Sequence, residues 1–347
     1  MKNLRTAKKT IKIVKFSKSI AIFSILILTL MFAAACTGGD EGRNDAGRTV
    51  GPEGEIQAEN GQEYARLELT FLTLPALEAF PVFIADSFGF FEDEGLHVTI
   101  ERFFNPRDRD VAFQTNENID GMVFDLVQLA IYREAGIDIV ATTSTVGMAS
   151  LIGGPGVYGI MDLAGGNVLM TSNTSMDYIL DRALDSVGLA MGDIITAEVP
   201  ALPTRLEMLL HNQAAGAVLP DPFAAMALEE GFNLLTTTRE LGINPFIFAF
   251  RRGVVENKTT EMQAFYRAVN RAVDFLNTAD REEFIDILVE TVGYPAHVRD
   301  TLVVPLFPAH SIPVYEVVRD VLDFTYSRGL AGSGVSVEDV IFDIGNF

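Results

Sequence analysis

Met122-Val-Phe-Asp-Leu-Val-Gln-Leu-Ala-Ile-Tyr-Arg-Glu-Ala-Gly136 holds a strand, a turn and a helix within fifteen residues. Met122-Val-Phe124 is a short apolar run, Asp125 is a helix cap with Gln128 at capping-box spacing, and Gly136 stops the helix. Three other segments repeat that order. Leu67-Glu-Leu-Thr-Phe-Leu72 alternates at period two, and Pro81 then opens an apolar helix ending near Gly89. Asn167-Val-Leu-Met170 runs into Ser172-Asn-Thr-Ser175 and a helix stopped by Gly188. Ala217-Val-Leu219 leads to Asp221 as cap, Pro222 at the first helical position and Gly231 past the end. Strands alternating with helices predict an α/β fold with largely parallel sheets.

In open α/β sheets, ligands sit beyond the carboxyl ends of strands, where free amides at helix starts face them. The junctions at 73–81, 120–125, 171–175 and 219–222 are therefore the candidate cleft. They supply Thr73, Glu78, Phe80, Asp120, Phe124, Asp125, Ser172, Asn173, Thr174, Ser175 and Asp221 as candidate ligand-binding residues. The plain alternative is that Asp125 and Asp221 only cap helices, and that Phe80 and Phe124 are core. These segments bring no Arg or Lys, and Asp125, Asp177 and Asp221 oppose a small anion. Acids beside Phe80 or Phe124 suit a planar nitrogen-bearing ring, stacked by the aromatic and held at its amino groups. The chain has no Trp, the commonest stacking residue for such a ring. Arg205 reads as a surface residue of a helix, or as one reaching an anion across the cleft.

Composition bounds the remaining classes. Residues 1–19 carry seven basic residues and no acid, Ile20 to Ala35 is apolar, and Cys36, the only cysteine, follows. This is an export-signal pattern. Ala33-Ala-Ala-Cys36 resembles the bacterial lipoprotein signal, with Ala33 where such signals usually have Leu. The resemblance implies lipidation of Cys36 as the mature N-terminus, and a chain anchored to the cell membrane on its outer side. The apolar run of 16 residues is shorter than the roughly 20 a spanning helix needs, an uncleaved anchor being the alternative. Residues 1–35 hold seven of the 26 basic residues and none of the 47 acids, leaving 19 against 47. Such a surface repels nucleic acid and anionic headgroups, so neither is an expected partner. With Cys36 lipidated, no disulfide forms within the chain. Residues 36–65, rich in Gly and charge, read as a flexible acidic tether. About 280 residues follow, enough for two domains. Four scattered histidines give no zinc or iron spacing. There is no phosphate-binding loop, no Gly-x-Ser-x-Gly and no internal sequence repeat, and no cofactor is expected.

Five segments carry a family likeness. They are Pro81-Val-Phe-Ile-Ala-Asp-Ser-Phe-Gly-Phe-Phe-Glu-Asp-Glu-Gly-Leu-His-Val98, Ile119-Asp-Gly-Met-Val-Phe-Asp125, Asp162-Leu-Ala-Gly-Gly-Asn-Val168, Leu202-Pro-Thr-Arg-Leu-Glu-Met-Leu209 and Val218-Leu-Pro-Asp-Pro-Phe223. In that order and spacing they resemble the solute-binding proteins of nitrate, sulfonate, taurine and thiamine-pyrimidine importers, the NMT1/THI5-like family. The resemblance implies a type II periplasmic-binding-protein fold: two α/β lobes, a central ligand cleft and two crossovers. Lobe 1 is expected at 66–156 plus 248–347 and lobe 2 at 157–247. It implies a monomer that captures a small molecule by hinge closure and delivers it to an ABC permease and its ATPase. An aminopyrimidine-like or other heterocyclic ligand is favoured over a sulfonate, taurine or nitrate. The same fold occurs in a few enzymes, but no Cys or His stands in the four junctions, so an enzyme is not expected. A receptor signalling to a sensor protein is the remaining alternative.

Overall fold

The computed structural model describes residues 67–345; the signal, Cys36 and the tether expected at 36–65 lie outside the described residues. The chain opens with β1 (Leu67–Thr73), α1 (Phe80–Ser87), the single turn α2 (Phe90–Asp93) and β2 (Leu96–Arg102). It continues through α3 (Pro106–Thr115), β3 (Gly121–Asp125), α4 (Leu126–Glu134) and β4 (Ile139–Ser144). It then crosses over to β5 (Ala149–Gly153), β6 (Asn167–Met170), α5 (Ser175–Asp185), β7 (Ile195–Glu198) and α6 (Leu202–Leu210). After β8 (Gly216–Pro220), α7 (Phe223–Glu229) and β9 (Asn233–Thr237), the chain crosses back into β10 (Phe246–Arg251). Helices α8 (Arg252–Asn257), α9 (Thr259–Thr278), α10 (Ile285–Leu288), α11 (Tyr315–Ser327) and α12 (Val337–Val340) follow.

Two five-stranded sheets result, in the orders β2-β1-β3-β10-β4 and β7-β6-β8-β5-β9. The orders are equivalent: in each, the fourth position is held by a strand arriving from the other lobe. β10 and β5 enter in the opposite sense, so each pairs antiparallel with both neighbours, while β1 with β2 and β3, and β6 with β7 and β8, are parallel. The sheets are thus mixed rather than largely parallel. β5, expected in lobe 1, pairs within the second sheet, and the first two residues of β10, expected in lobe 2, pair within the first. The crossovers are 145–148 and 238–245. Topology repeats where sequence does not, because a strand order needs only matching polarity patterns.

The lobes are filled differently. Lobe 1 packs α1 and α9 on its sheet around Phe71, Phe80, Phe91, Phe248, Phe250 and Phe265. The Phe91 and Phe265 rings stack at 5.5 Å, and each fully buried Phe contributes about 1.5–3 kcal/mol. α9 places Met262, Phe265, Tyr266, Val269, Ala272, Val273 and Leu276 on one stripe, which is why this polar-looking segment is a twenty-residue helix. The α6–α7 side of lobe 2 is lined by smaller groups: Ile152, Leu169, Leu209, Ala217 and Leu219. α11 packs on α4 and also reaches lobe 2, where Phe324 meets Tyr178 edge-on at 5.3 Å. At the first crossover, a Cβ on Gly147 would stand 2.2 Å from the Phe246 ring, so only glycine lets the chain pass. No helix among the described residues is long and apolar enough to cross a membrane.

Candidate functional site

The carboxyl ends of β1, β3, β6 and β8 meet across the space between the lobes, and all four junctions contribute to one cavity there of about 80 Å³. Leu74, Pro75, Ala76 and Glu78 come from the first, and Val123, Phe124, Asp125 and Gln128 from the second. Thr171, Thr174, Ser175 and Met176 come from the third and Pro220 from the fourth. Pro106 and Arg109 of α3, Leu202 of α6 and Phe246 of β10 complete the lining.

Of the residues singled out in the sequence, Glu78, Phe124, Asp125, Thr174 and Ser175 therefore line the cleft. Asp221 stands beside it, its carboxyl facing the Ala225 N–H and the Tyr294 hydroxyl, which favour its charged form against burial. The Asp221–Pro222 bond is cis, and α7 begins one residue later than expected, at Phe223. The others lie elsewhere. Asp120 precedes β3, roughly 16 Å from Asp125 at about 3.3 Å per residue; it accepts from the Thr70 N–H and pairs with Lys258 at 2.8 Å. Phe80 is sealed in the lobe 1 core between Phe284 and Phe307. The Thr73 hydroxyl is buried against the Glu101 carbonyl. Ser172 and Asn173 are exposed, their N–H groups donating to Glu198 and Asp177. Phe124 offers no open face, because the Arg109 guanidinium covers it at 5.1 Å and Tyr132 packs at 5.0 Å.

Two arginines correct the reading of a cleft without cations. Arg109 is buried at its edge. It donates from Nη1 to the Val123 carbonyl at 2.8 Å, from Nη2 to Gln128 Oε1 at 3.2 Å, and from Nε and Nη2 to Asp110. Gln128 returns a bond to Asp110 at 2.9 Å, so its side chain is spent there; of the expected capping box, only the Gln128 N–H to Asp125 half forms. Arg205 is not a surface residue but fully buried, donating to the Val199 carbonyl at 2.9 Å, the Val218 carbonyl at 2.6 Å and Thr171 Oγ1. Burial pushes its guanidinium down to about 10. Both arginines follow a proline near a helix start and reach the third strand of their own sheet. Those prolines, with Asn105 capping α3, are the sequence signal that marks a fifth and sixth junction.

The lobe 1 wall is acidic but resists ionising. Burial pushes the Glu78 carboxyl up to about 7, reinforced by Asp221 and Asp125 and opposed by its own backbone N–H and Arg109. Burial likewise pushes Asp125 up to about 6, against donation from the Gln128 N–H, the charge of Arg109 and the Ser175 hydroxyl. Asp221 is raised by burial too. The lobe 2 wall is made of hydroxyls. Thr174 caps α5, accepting from the Met176 N–H and donating to the Thr171 carbonyl, and the Ser175 hydroxyl faces Asp125 and favours its charged form. Thr171 Oγ1 accepts from Arg205, which leaves its proton free to point at the cleft. Four polar contacts join the lobes around this space: Asp125 with Ser175, Asp221 with Tyr294, Arg107 with Glu198 at 2.9 Å, and His297 with Glu229 at 2.7 Å.

Residues 164–293 match the model of the NMT1-like family. No curated protein matches the chain. Among solved structures, the periplasmic aliphatic sulphonate binding protein SsuA from Escherichia coli aligns at 18% identity over 82% of this chain and 94% of its own, TM-score 0.71. The periplasmic nitrate-binding protein NrtA from Synechocystis PCC 6803 aligns at 16% identity over 79% and 86%, TM-score 0.66. A conserved Candida albicans gene product with the generic periplasmic binding protein fold aligns at 11% identity over 80% and 96%, TM-score 0.63. These likenesses identify the fold as that of the periplasmic binding proteins, and the family match supports the NMT1/THI5-like resemblance of the sequence.

Proposed function

We propose that this chain, a periplasmic-binding-protein fold carrying an NMT1-like segment at 164–293, is the extracytoplasmic solute-binding component of an ABC importer. Lipid on Cys36 holds it at the membrane, near the permease it serves. The ligand closes the lobes because only the closed state offers both walls at once. The observation that carries the ligand class is the pair Glu78 and Asp125, pushed up to about 7 and about 6 in one cleft wall. A ligand N–H or cationic nitrogen placed between them replaces the hydration they lost and favours their ionised forms. The opposite wall, with the Thr171 hydroxyl and the start of α5, favours an acceptor. An aminopyrimidine-like or similar nitrogen heterocycle meets both demands. Its orientation comes from these polar walls rather than from stacking on Phe124.

A second reading is a sulfonate or nitrate, favoured by Arg109 and by the ligands named for the Escherichia coli and Synechocystis proteins. Arg109 is already balanced by Asp110 at 2.6 Å, so an anion would bind with Glu78 and Asp125 protonated. The readings therefore differ in the sign of their pH dependence. A thermal-shift screen with cytosine and other aminopyrimidines, taurine, alkanesulfonates, nitrate and bicarbonate, run at about pH 5.5 and pH 8, separates them. A ligand at a hundred times its Kd adds about 2.7 kcal/mol. A heterocycle shift that grows toward pH 8 supports the favoured ligand; a sulfonate or nitrate shift that grows toward pH 5.5 replaces it. No shift with any of them removes the cleft assignment.

A further inference from the structure

Glu78 lines a second cavity, of about 30 Å³, on the lobe 1 side of the cleft. Its far wall is the first crossover, where Thr145 is 6% exposed and its Oγ1, buried, has no hydrogen-bond partner among the described residues. The neighbouring threonine is already satisfied, since the Thr143 hydroxyl donates to the Ser311 carbonyl at 3.0 Å. Between Thr145 and Glu78 the surface is mainly apolar, with Phe248, Val269, Val273 and Phe307, and Tyr266 and His310 also line it. An unpaired buried hydroxyl costs about 1–3 kcal/mol, so a group that satisfies it gains more there than at an exposed site. The volume exceeds the roughly 10–15 Å³ that one water needs and suits one short substituent.

We infer that this cavity is a subsite of the ligand cleft that takes an uncharged hydroxyl- or amino-bearing arm of the ligand, bonded at one end to Thr145 Oγ1 and at the other to Glu78. No Arg or Lys lines the cavity, so an anionic arm would find no counter-ion there, whereas an uncharged arm needs none. Thr145 is both donor and acceptor, and Glu78 near its midpoint is either, so an alcohol or amine finds a complementary partner at each side. The arm would touch the crossover itself, which links the ligand's shape to the position of the hinge. This inference rests on the cleft assignment above but not on which ligand head the cleft takes.

The test is isothermal titration of two matched pairs, hydroxymethylcytosine against ethylcytosine and isethionate against propanesulfonate, on the wild-type chain, Thr145→Val and Thr145→Ser. Within each pair only a terminal hydroxyl is exchanged for a methyl, so the ratio of affinities reports on the subsite whichever head binds. The wild type is expected to favour the hydroxyl member by about tenfold, Thr145→Ser to keep that preference and Thr145→Val to lose it. Unliganded Thr145→Val should melt no lower than wild type, since it removes an orphan rather than a bond. Binding with the same preference in Thr145→Val overturns the subsite and leaves the cleft standing, the cavity then holding only water. Absence of binding by both pairs overturns the cleft and the subsite together.

Discussion

The two lobes share a strand order and a buried arginine, yet they present opposite walls. Arg109 and Arg205 each leave the helix that follows the edge strand of their sheet, β2 or β7, and each donates to a carbonyl of the strand third in order, Val123 and Val218. Arg109 is balanced by Asp110, and the wall above it is made of carboxyls whose ionisation burial delays. Arg205 pairs with no carboxylate, and the wall above it is made of hydroxyls. One scaffold has thus been used twice, with the charge compensation moved off the arginine in one lobe and kept beside it in the other. A ligand lying between them meets acceptors on one side and donors on the other.

The largest effect should come from Arg205→Met, which strips three buried acceptors of their donor. A loss of about 3–4 kcal/mol is expected in denaturant unfolding. Arg109→Met should cost less, about 2 kcal/mol, because Asp110 and Gln128 keep each other as partners. Equal losses would show that the pairing with Asp110 does not distinguish the lobes. Next in size is the pH dependence. Glu78 and Asp125 titrate above their ordinary 4.5 and 3.8 in the folded state, so that state binds the extra protons. Stability of the unliganded chain should therefore fall as pH rises from about 4 to about 7, and level off above. Glu78→Gln should flatten that slope and raise the melting temperature at pH 8, by roughly 1–2 kcal/mol of stability. A slope unchanged in Glu78→Gln would place the titration elsewhere.

A smaller change is expected at the contacts between lobes. Tyr294→Phe removes the hydroxyl that faces Asp221 and should weaken ligand binding about fivefold, with little effect on the unliganded melt. A fall in melting temperature with affinity intact would make Tyr294 a support of lobe 1 alone. The smallest belongs to Arg107→Ala, which breaks the exposed pair with Glu198 at 2.9 Å. No more than about 0.5 kcal/mol should be lost, and less at high salt. A larger loss would mean that this pair holds the lobes together.

Local punctuation made much of this readable. Asp125, Thr174, Gly136 and Gly188 mark helix ends, and the four junctions they flank do face one cleft. What stayed hidden depended on contacts distant in sequence. Asp120 and Asp125 look alike on either side of one short strand, but a strand has two ends and only its carboxyl end reaches the cleft. Phe80 and Phe124 carry the same side chain as any platform, and only the packing of Phe284, Phe307, Arg109 and Tyr132 shows that their faces are taken. Arg205 stands between Thr204 and Glu207 on a helix with both apolar and polar positions, and its burial follows from Thr171 and Val218 lying behind it. The lobe boundary was misplaced for a similar reason: β5 joins the second sheet through partners more than sixty residues downstream.

The nesting of the chain has a consequence for its birth. Lobe 2 takes all five strands, β5 to β9, from one uninterrupted run, whereas the sheet of lobe 1 keeps a gap between β3 and β4 until β10 arrives. As the polypeptide emerges amino end first, the second lobe can complete its sheet while the first still waits with two open edges. α11, which touches both lobes, comes later still. A nascent chain ending at residue 245 would hold every cleft-lining residue except Phe246 and still no finished first lobe. Exposed strand edges in lobe 1 therefore mark a molecule that is not yet whole.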